Sequence, residues 1–110
     1  MASQSTALSE AHVRYLFDKA SDAIFVADAE GRIVEVNERA CNLTGYTRDE
    51  LLTMTVSDVD ADRSEPEAVG QFWSTLEPGV PATLQTRHRR KDGSTYPVEV
   101  TIVLLESQRG

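Results

Sequence analysis

Arg87 to Val100 reads RHRRKDGSTYPVEV, and this stretch decides the fold. Lys91-Asp92-Gly93-Ser94 stands between two alternating runs, and Asp-Gly is the pair that accepts the positive φ angles of a tight hairpin turn. The spacing predicts a β-hairpin pairing roughly Ala82 to Arg90 with Thr95 to Leu105. Val98, Val100, Ile102 and Leu104 then share one face of the second strand, and Glu99 and Thr101 the other.

Upstream of the hairpin, Ser64-Glu65-Pro66-Glu67 is a capping pattern with proline in the first turn. It opens a helix to about Leu76, which Pro78-Gly79 ends. Thr53 to Arg63 is rich in Asp, Ser and Thr and reads as irregular connection. Thr47-Arg48-Asp49-Glu50 is a second capping box, for a brief helix through Leu52. Asn37 caps a helix over Glu38 to Leu43, with Gly45 at its left-handed end. Ala23 to Asp28 and Arg32 to Val36 are β-rich runs separated by Ala29-Glu30-Gly31, which is short enough for a hairpin. Over 9–21, Ser9 caps a helix from about Glu10 to Ala20, in which Val13, Leu16, Phe17 and Ala20 form one apolar stripe. Residues 1–8 are small and polar and read as a flexible tail.

At 110 residues the chain is one domain, with 40% apolar and 26% charged residues, ordinary for a soluble globular protein. A net charge of -7 argues against a nucleic-acid surface. The basic cluster Arg87, Arg89, Arg90 and Lys91 alternates between strand faces and reads as a solvated hairpin tip. A single cysteine fits a reducing compartment, so a cytoplasmic location is expected. No signal peptide is evident, and no run approaches the roughly 18 apolar residues of a spanning helix. No membrane contact by this segment is expected.

In order and spacing these segments resemble the PAS sensory domain, of the kind found in bacterial and archaeal sensor histidine kinases. Asp22 to Asp28 resembles the family's first strand, and Gly31 to Asn37 its second strand and helix cap. Ala40 to Leu51 (ACNLTGYTRDEL) resembles its most recognisable helical segment. Asp58 to Asp62 matches the acidic connector, Phe72-Trp73 the long helix and Arg89 to Val100 the C-terminal hairpin. The resemblance implies an α+β fold over 22–106: a five-stranded antiparallel sheet of order 2-1-5-4-3, short helices on one face, and a flanking N-terminal helix. Only five residues follow Leu105, where the family places its fifth strand between strands one and four. The core is therefore expected to be truncated before that strand. Central strand groups left unpaired cost about 1–3 kcal/mol each, so a strand exchanged from a second molecule is expected to fill the gap, or the sheet to open.

Catalysis needs a nucleophile with a base, paired carboxylates or a metal cluster. His12 and His88 have no partner at ligand spacing. Asp58, Asp60 and Asp62 lack the glycine and distal glutamate of a calcium loop. No catalytic residue or metal site is expected; the aspartates read as solvated loop acids and His88 as a cross-strand surface residue. Haem-binding relatives place a histidine on the long helix, and none lies between Ser64 and Pro81. In the light-sensing flavin branch the reactive cysteine lies in Asn-Cys-Arg-Phe-Leu-Gln. Here Ala40-Cys41-Asn42-Leu43 lacks that context, and Cys41 reads as a small, half-buried thiol. Trp73 admits helix-to-sheet packing, a cavity wall or flavin stacking. Flavin-binding relatives tend to carry a second tryptophan where this chain has Tyr96-Pro97, so packing is favoured and no cofactor is expected.

By resemblance and alternation, Phe25 and Ala27 point inward as cavity walls, closed from the helical side by Cys41, Leu43, Phe72 and Trp73. Ile24 and Val26 point to the opposite sheet face. They form a surface with Val13, Leu16, Phe17 and Ala20 that either caps its own sheet or pairs two protomers. The expected function is a signal-sensing and protein-interaction input module of a larger signal-transduction protein, a sensor histidine kinase. It would form a homodimer, carry an attached effector domain and hold a small-molecule ligand. A ligand-free dimerisation module and a flavin-binding redox sensor are the alternatives.

Overall fold

The computed structural model describes residues 9–63 and 71–105. The expected tail at 1–8, the proline-bearing start of the long helix and the polar end after 105 lie outside that range; 71–73 are helical.

The deciding hairpin forms as its sequence requires. β3 (Ala82–Arg89) and β4 (Thr95–Leu104) pair antiparallel, from Ala82 opposite Ile102 to Arg89 opposite Thr95. Gly93 takes a φ of 92°, where a side chain would be strained. The Asp92 carboxylate accepts from the Ser94 N–H at 2.9 Å and from its hydroxyl at 2.6 Å, replacing a strand ladder with a local turn. The first hairpin joins β1 (Ala23–Ala27) to β2 (Ile33–Val36). Asp28 organises its turn by accepting from the N–H groups of Glu30 and Arg32 and from the Arg32 guanidinium.

Helix caps lie where the residue types place them. Ser9 accepts from the His12 N–H to start α1 (Glu10–Lys19), and Asn37 accepts from the Ala40 N–H to start α2 (Glu38–Thr44). Thr47 and Glu50 cap α3 (Arg48–Leu51) reciprocally. The stretch expected to be irregular contains one further turn, α4 (Val56–Val59), opened by the Asp58 carboxylate accepting from the Thr55 N–H at 2.9 Å. Val59 is buried there, and its partner three residues back, Val56, packs against the core; polar neighbours hide this short apolar pair in the sequence.

The sheet order is β2-β1-β4-β3. The neighbours 2-1 and 4-3 stand as expected, but the sheet differs from the five-stranded antiparallel expectation. Among the described residues there are four strands, and β4 runs parallel to β1, with Phe25 opposite Ile102 and Ala27 opposite Leu104. The ladder groups of β4 need partners, and the free edge of β1 supplies them. The pairing continues through the Leu105 N–H, which donates to the Ala27 carbonyl at 2.8 Å. The expected gap is thus closed within the chain: the sheet does not open, and no vacant edge is left there for an exchanged strand.

One sheet face carries the core: Ala23, Phe25 and Ala27 of β1, Val100 and Ile102 of β4, and Ile33 and Val36 of β2, covered by Ala40, Leu51 and Val59. Each fully buried Val, Leu or Ile contributes about 1.5–3 kcal/mol. Ile24 and Val26 lie half-buried on the other face. α1 rests beside α2 with none of its residues fully buried: Val13 and Leu16 of its stripe are exposed, and Phe17 and Ala20 are half-buried.

Candidate functional site

Between the inner sheet face, α4 and the Phe72 segment lies a cavity of about 20 Å³, room for one or two water-sized molecules. Phe25, Leu84, Val100 and Ile102 line it from the sheet, Val56, Val59 and Phe72 from the helical side, and His88 and Asp60 at its polar end. Of the wall residues expected from sequence, the structure brings Phe25 and Phe72 together. Ala27 is fully buried farther along β1, and Cys41 and Leu43 pack half-buried against the core from α2. None of these three lines the cavity. Trp73 leans on the first hairpin turn: a Cβ at Gly31, where φ is 82°, would stand 3.3 Å from the indole Nε1.

His88 is not a surface residue. It is 4% exposed, and its ring meets Phe25 edge-on at 5.2 Å and Tyr96 at 6.2 Å. Burial pushes its pKa down to about 4, against the opposing pull of the Asp60 charge, so the imidazole is neutral at pH 7. The reason is the β3 alternation: Leu84, Thr86 and His88 share one face, and that face is the inner one. The apolar Leu84 in this period-two set was the available signal.

Asp60 is likewise not a solvated loop acid. It is 3% exposed, and its carboxylate takes the Thr86 hydroxyl at 2.9 Å and the N–H groups of Asp62 and Arg63 at 2.9 and 3.0 Å. The Arg63 guanidinium donates to Thr86 Oγ1 at 3.0 Å and covers the Phe72 ring at 5.1 Å. Ala61 donates its N–H to the Arg87 carbonyl at 2.8 Å, fastening this segment to the β3 edge. A lone buried carboxylate is costly, and this one is satisfied from several sides. Asp58 is exposed, as expected of a loop acid.

Three buried polar atoms have no hydrogen-bond partner among the described residues: Trp73 Nε1, His88 Nδ1 and Tyr96 Oη. Arg90 lies over the Tyr96 ring at 4.2 Å, and burial raises the Tyr96 pKa. Burial also raises the Cys41 pKa, which keeps it a thiol and not a nucleophilic thiolate. Among the described residues no three His, Cys, Asp or Glu side chains come together as a metal site, and no helix is long and apolar enough to cross a membrane. Among the described residues, the cavity lining brings together no nucleophile with a base.

Comparison with known proteins agrees with this geometry. The PAS domain family model matches residues 21–110, and the chain belongs to that family. PAS domains are regulatory sensing modules. The chain is 29% identical over 107 residues to a nitrogen fixation regulatory protein of Klebsiella oxytoca, covering 94% of this chain and 22% of that protein. It is 33% identical over 108 residues to the cell-division control histidine kinase PdhS of Brucella ovis, covering 92% of this chain and 10% of the kinase. The chain therefore spans about a fifth or less of these relatives. Among solved structures, the PAS domain of an HTR-like protein from Haloarcula marismortui superposes with a TM-score of 0.75 at 31% identity, covering 89% of this chain and 80% of that one. A domain of a sensory box sensor histidine kinase/response regulator from Geobacter sulfurreducens gives 0.70 at 30% identity, covering 86% and 82%.

Proposed function

We propose that this PAS domain is the input module of a cytoplasmic sensor histidine kinase and works as a homodimer, paired through α1 and the outer sheet face and joined to an effector domain. The observation that carries this is the apolar surface left uncovered on two elements: Val13 and Leu16 of α1 are 52% and 56% exposed, and Ile24 and Val26 on the outer sheet face are only half-buried. The histidine kinase among its relatives supports the choice of effector. A cue that favours one packing of helix against sheet shifts the output equilibrium, because only differential stabilisation moves a two-state system. The proposed module carries no prosthetic group; Tyr96-Pro97, standing where flavin-binding relatives tend to carry a second tryptophan, supports that. A second reading, a sensor of a very small ligand, is favoured by the unpartnered His88 Nδ1 beside that space.

One chromatography run with absorption and light-scattering detection tests both. A colourless dimer is expected, and Leu16→Glu is expected to make it monomeric with an unchanged circular dichroism spectrum. A monomer at every concentration overturns the dimer, and a flavin or haem band overturns the cofactor-free reading. A melting shift with one- or two-carbon polar molecules, lost in His88→Phe, would establish the second reading.

A further inference from the structure

α1 is attached to the core in an unusual way for an amphipathic helix. None of its ten residues is buried, and the contacts that hold it are polar and converge on the corner where β2 passes into α2. Arg14 reaches Glu35 at 3.1 Å, the Val36 carbonyl at 3.4 Å and Asp18 at 3.0 Å. The Asp18 carboxylate accepts the Glu38 N–H at 3.0 Å, so a side chain of α1 satisfies the first turn of α2. Asn37, fully buried, fixes where the helix ends. Its amide nitrogen donates to the carbonyls of Phe17 at 3.0 Å and Asp22 at 2.9 Å, while its oxygen accepts from the N–H groups of Ile24 at 2.9 Å and Ala40 at 3.1 Å. One side chain thereby touches α1, the α1–β1 link, β1 and α2. Glu35 is shared with the core, since Arg48 of α3 holds it at 2.8 and 2.9 Å. These two arginines draw the Glu35 carboxyl down to about 2, with Arg48 the larger influence.

The magnitudes decide what this attachment does. A helix of ten residues is too short to persist alone. An exposed ion pair shifts an equilibrium by about fivefold or less. We propose that α1 is a latched helix, a two-state element whose docked form is held by Arg14, Asp18 and Asn37 at the β2–α2 corner and whose release is governed by charge there. Val13 and Leu16 of the apolar stripe are exposed in the docked form and stay free to engage a partner in either state, while Phe17 and Ala20 are half-buried. Release withdraws the Asp18 carboxylate from the Glu38 N–H, while Asn37 keeps its cap on α2 through the Ala40 N–H and the core strands stay closed.

Hydrogen exchange on the intact 110-residue chain tests the latch by reading the amides of residues 13–19 against those of β1 and β4. The comparison uses wild type, Arg14→Gln, and Glu99→Gln as a charge control on exposed β4, in low salt and at about 0.5 M salt. Exchange in α1 is expected to rise roughly two- to tenfold in Arg14→Gln and in high salt, with β1, β4 and the control unchanged. Unchanged α1 exchange in both conditions overturns the latch, as does acceleration of α1 and β1 together. The same series in Leu16→Glu separates the latch from dimerisation. If Leu16→Glu alone deprotects α1 and Arg14→Gln adds nothing, the helix is held by a second copy and the latch is overturned. If Leu16→Glu leaves the Arg14 effect intact, the latch stands whether or not the chain dimerises.

Discussion

His88 is where burial and chemistry meet most sharply. An imidazole enclosed by Phe25 and Tyr96 and held neutral, with a pKa of about 4, binds fewer protons at mildly acidic pH than it would in the unfolded chain. The folded pKa lies below the unfolded value, so the stabilisation is present above pH 6.5 and is lost as pH falls from there to about 4. The loss is on the order of a few kcal/mol, and His88→Phe is expected to remove it. Urea unfolding at pH 7 and pH 5 checks this: wild type should weaken on acidification and the variant should hold. Glu35 titrates in a lower window, losing its contribution as pH falls from about 4.5 to about 2, so the two effects separate. The sequence carried the alternation that turns His88 inward, but residue type argued for the surface, and a charged-looking neighbourhood of Arg87, Arg89 and Arg90 masked it. Phe25 was legible through family resemblance and strand alternation together, since the run Ala23–Ala27 is apolar on both faces and does not by itself say which is inner.

Among the elements, α4 and its Asp60 extension were the least legible. A single helical turn carries too few apolar positions to show a period, and a carboxylate in an acidic run looks solvated unless its partners are known. Those partners, Thr86 and Arg63, lie 26 and three residues away, so only the fold reveals them. Asp60→Ala removes the acceptor for the Thr86 hydroxyl and for two backbone N–H groups. It is expected to cost about 1–3 kcal/mol and to speed exchange at Ala61, whose N–H pins the segment to β3; denaturant melts and amide exchange check the pair of effects. The two hairpins, by contrast, were read correctly to within a residue or two, since Asp92-Gly93 and Asp28 with Gly31 write their turns locally. Helix caps at Ser9, Asn37 and Thr47 were legible for the same reason. The polar docking of α1 was not. Sequence shows its apolar stripe and leaves open whether that stripe caps its own sheet or pairs two protomers; the contacts of Arg14 with Glu35 and of Asp18 with the Glu38 N–H have no local signal.

At the scale of the molecule, the α+β class and the sheet neighbours 2-1 and 4-3 followed from element order, while the direct pairing of β1 with β4 did not. No local signal specifies which distant strand completes a ladder; that choice depends on which edges remain unpaired once the hairpins have formed. The parallel pairing has a mechanical meaning. The chain enters β1 at the end where Ala23 faces Val100 and leaves β4 at the opposite end, where Leu104 faces Ala27. Tension applied through the two chain ends therefore runs along the strands in opposite directions and loads every hydrogen bond of the central ladder at once. Tension between positions 82 and 105 instead opens the β3–β4 hairpin from one end, one bond at a time. Single-molecule pulling should find a clearly higher rupture force for handles at 22 and 105 than for handles at 82 and 105, and equal forces would refute it. A domain pulled from both of its ends is then stiff along the line of that pull, and it transmits displacement before it yields.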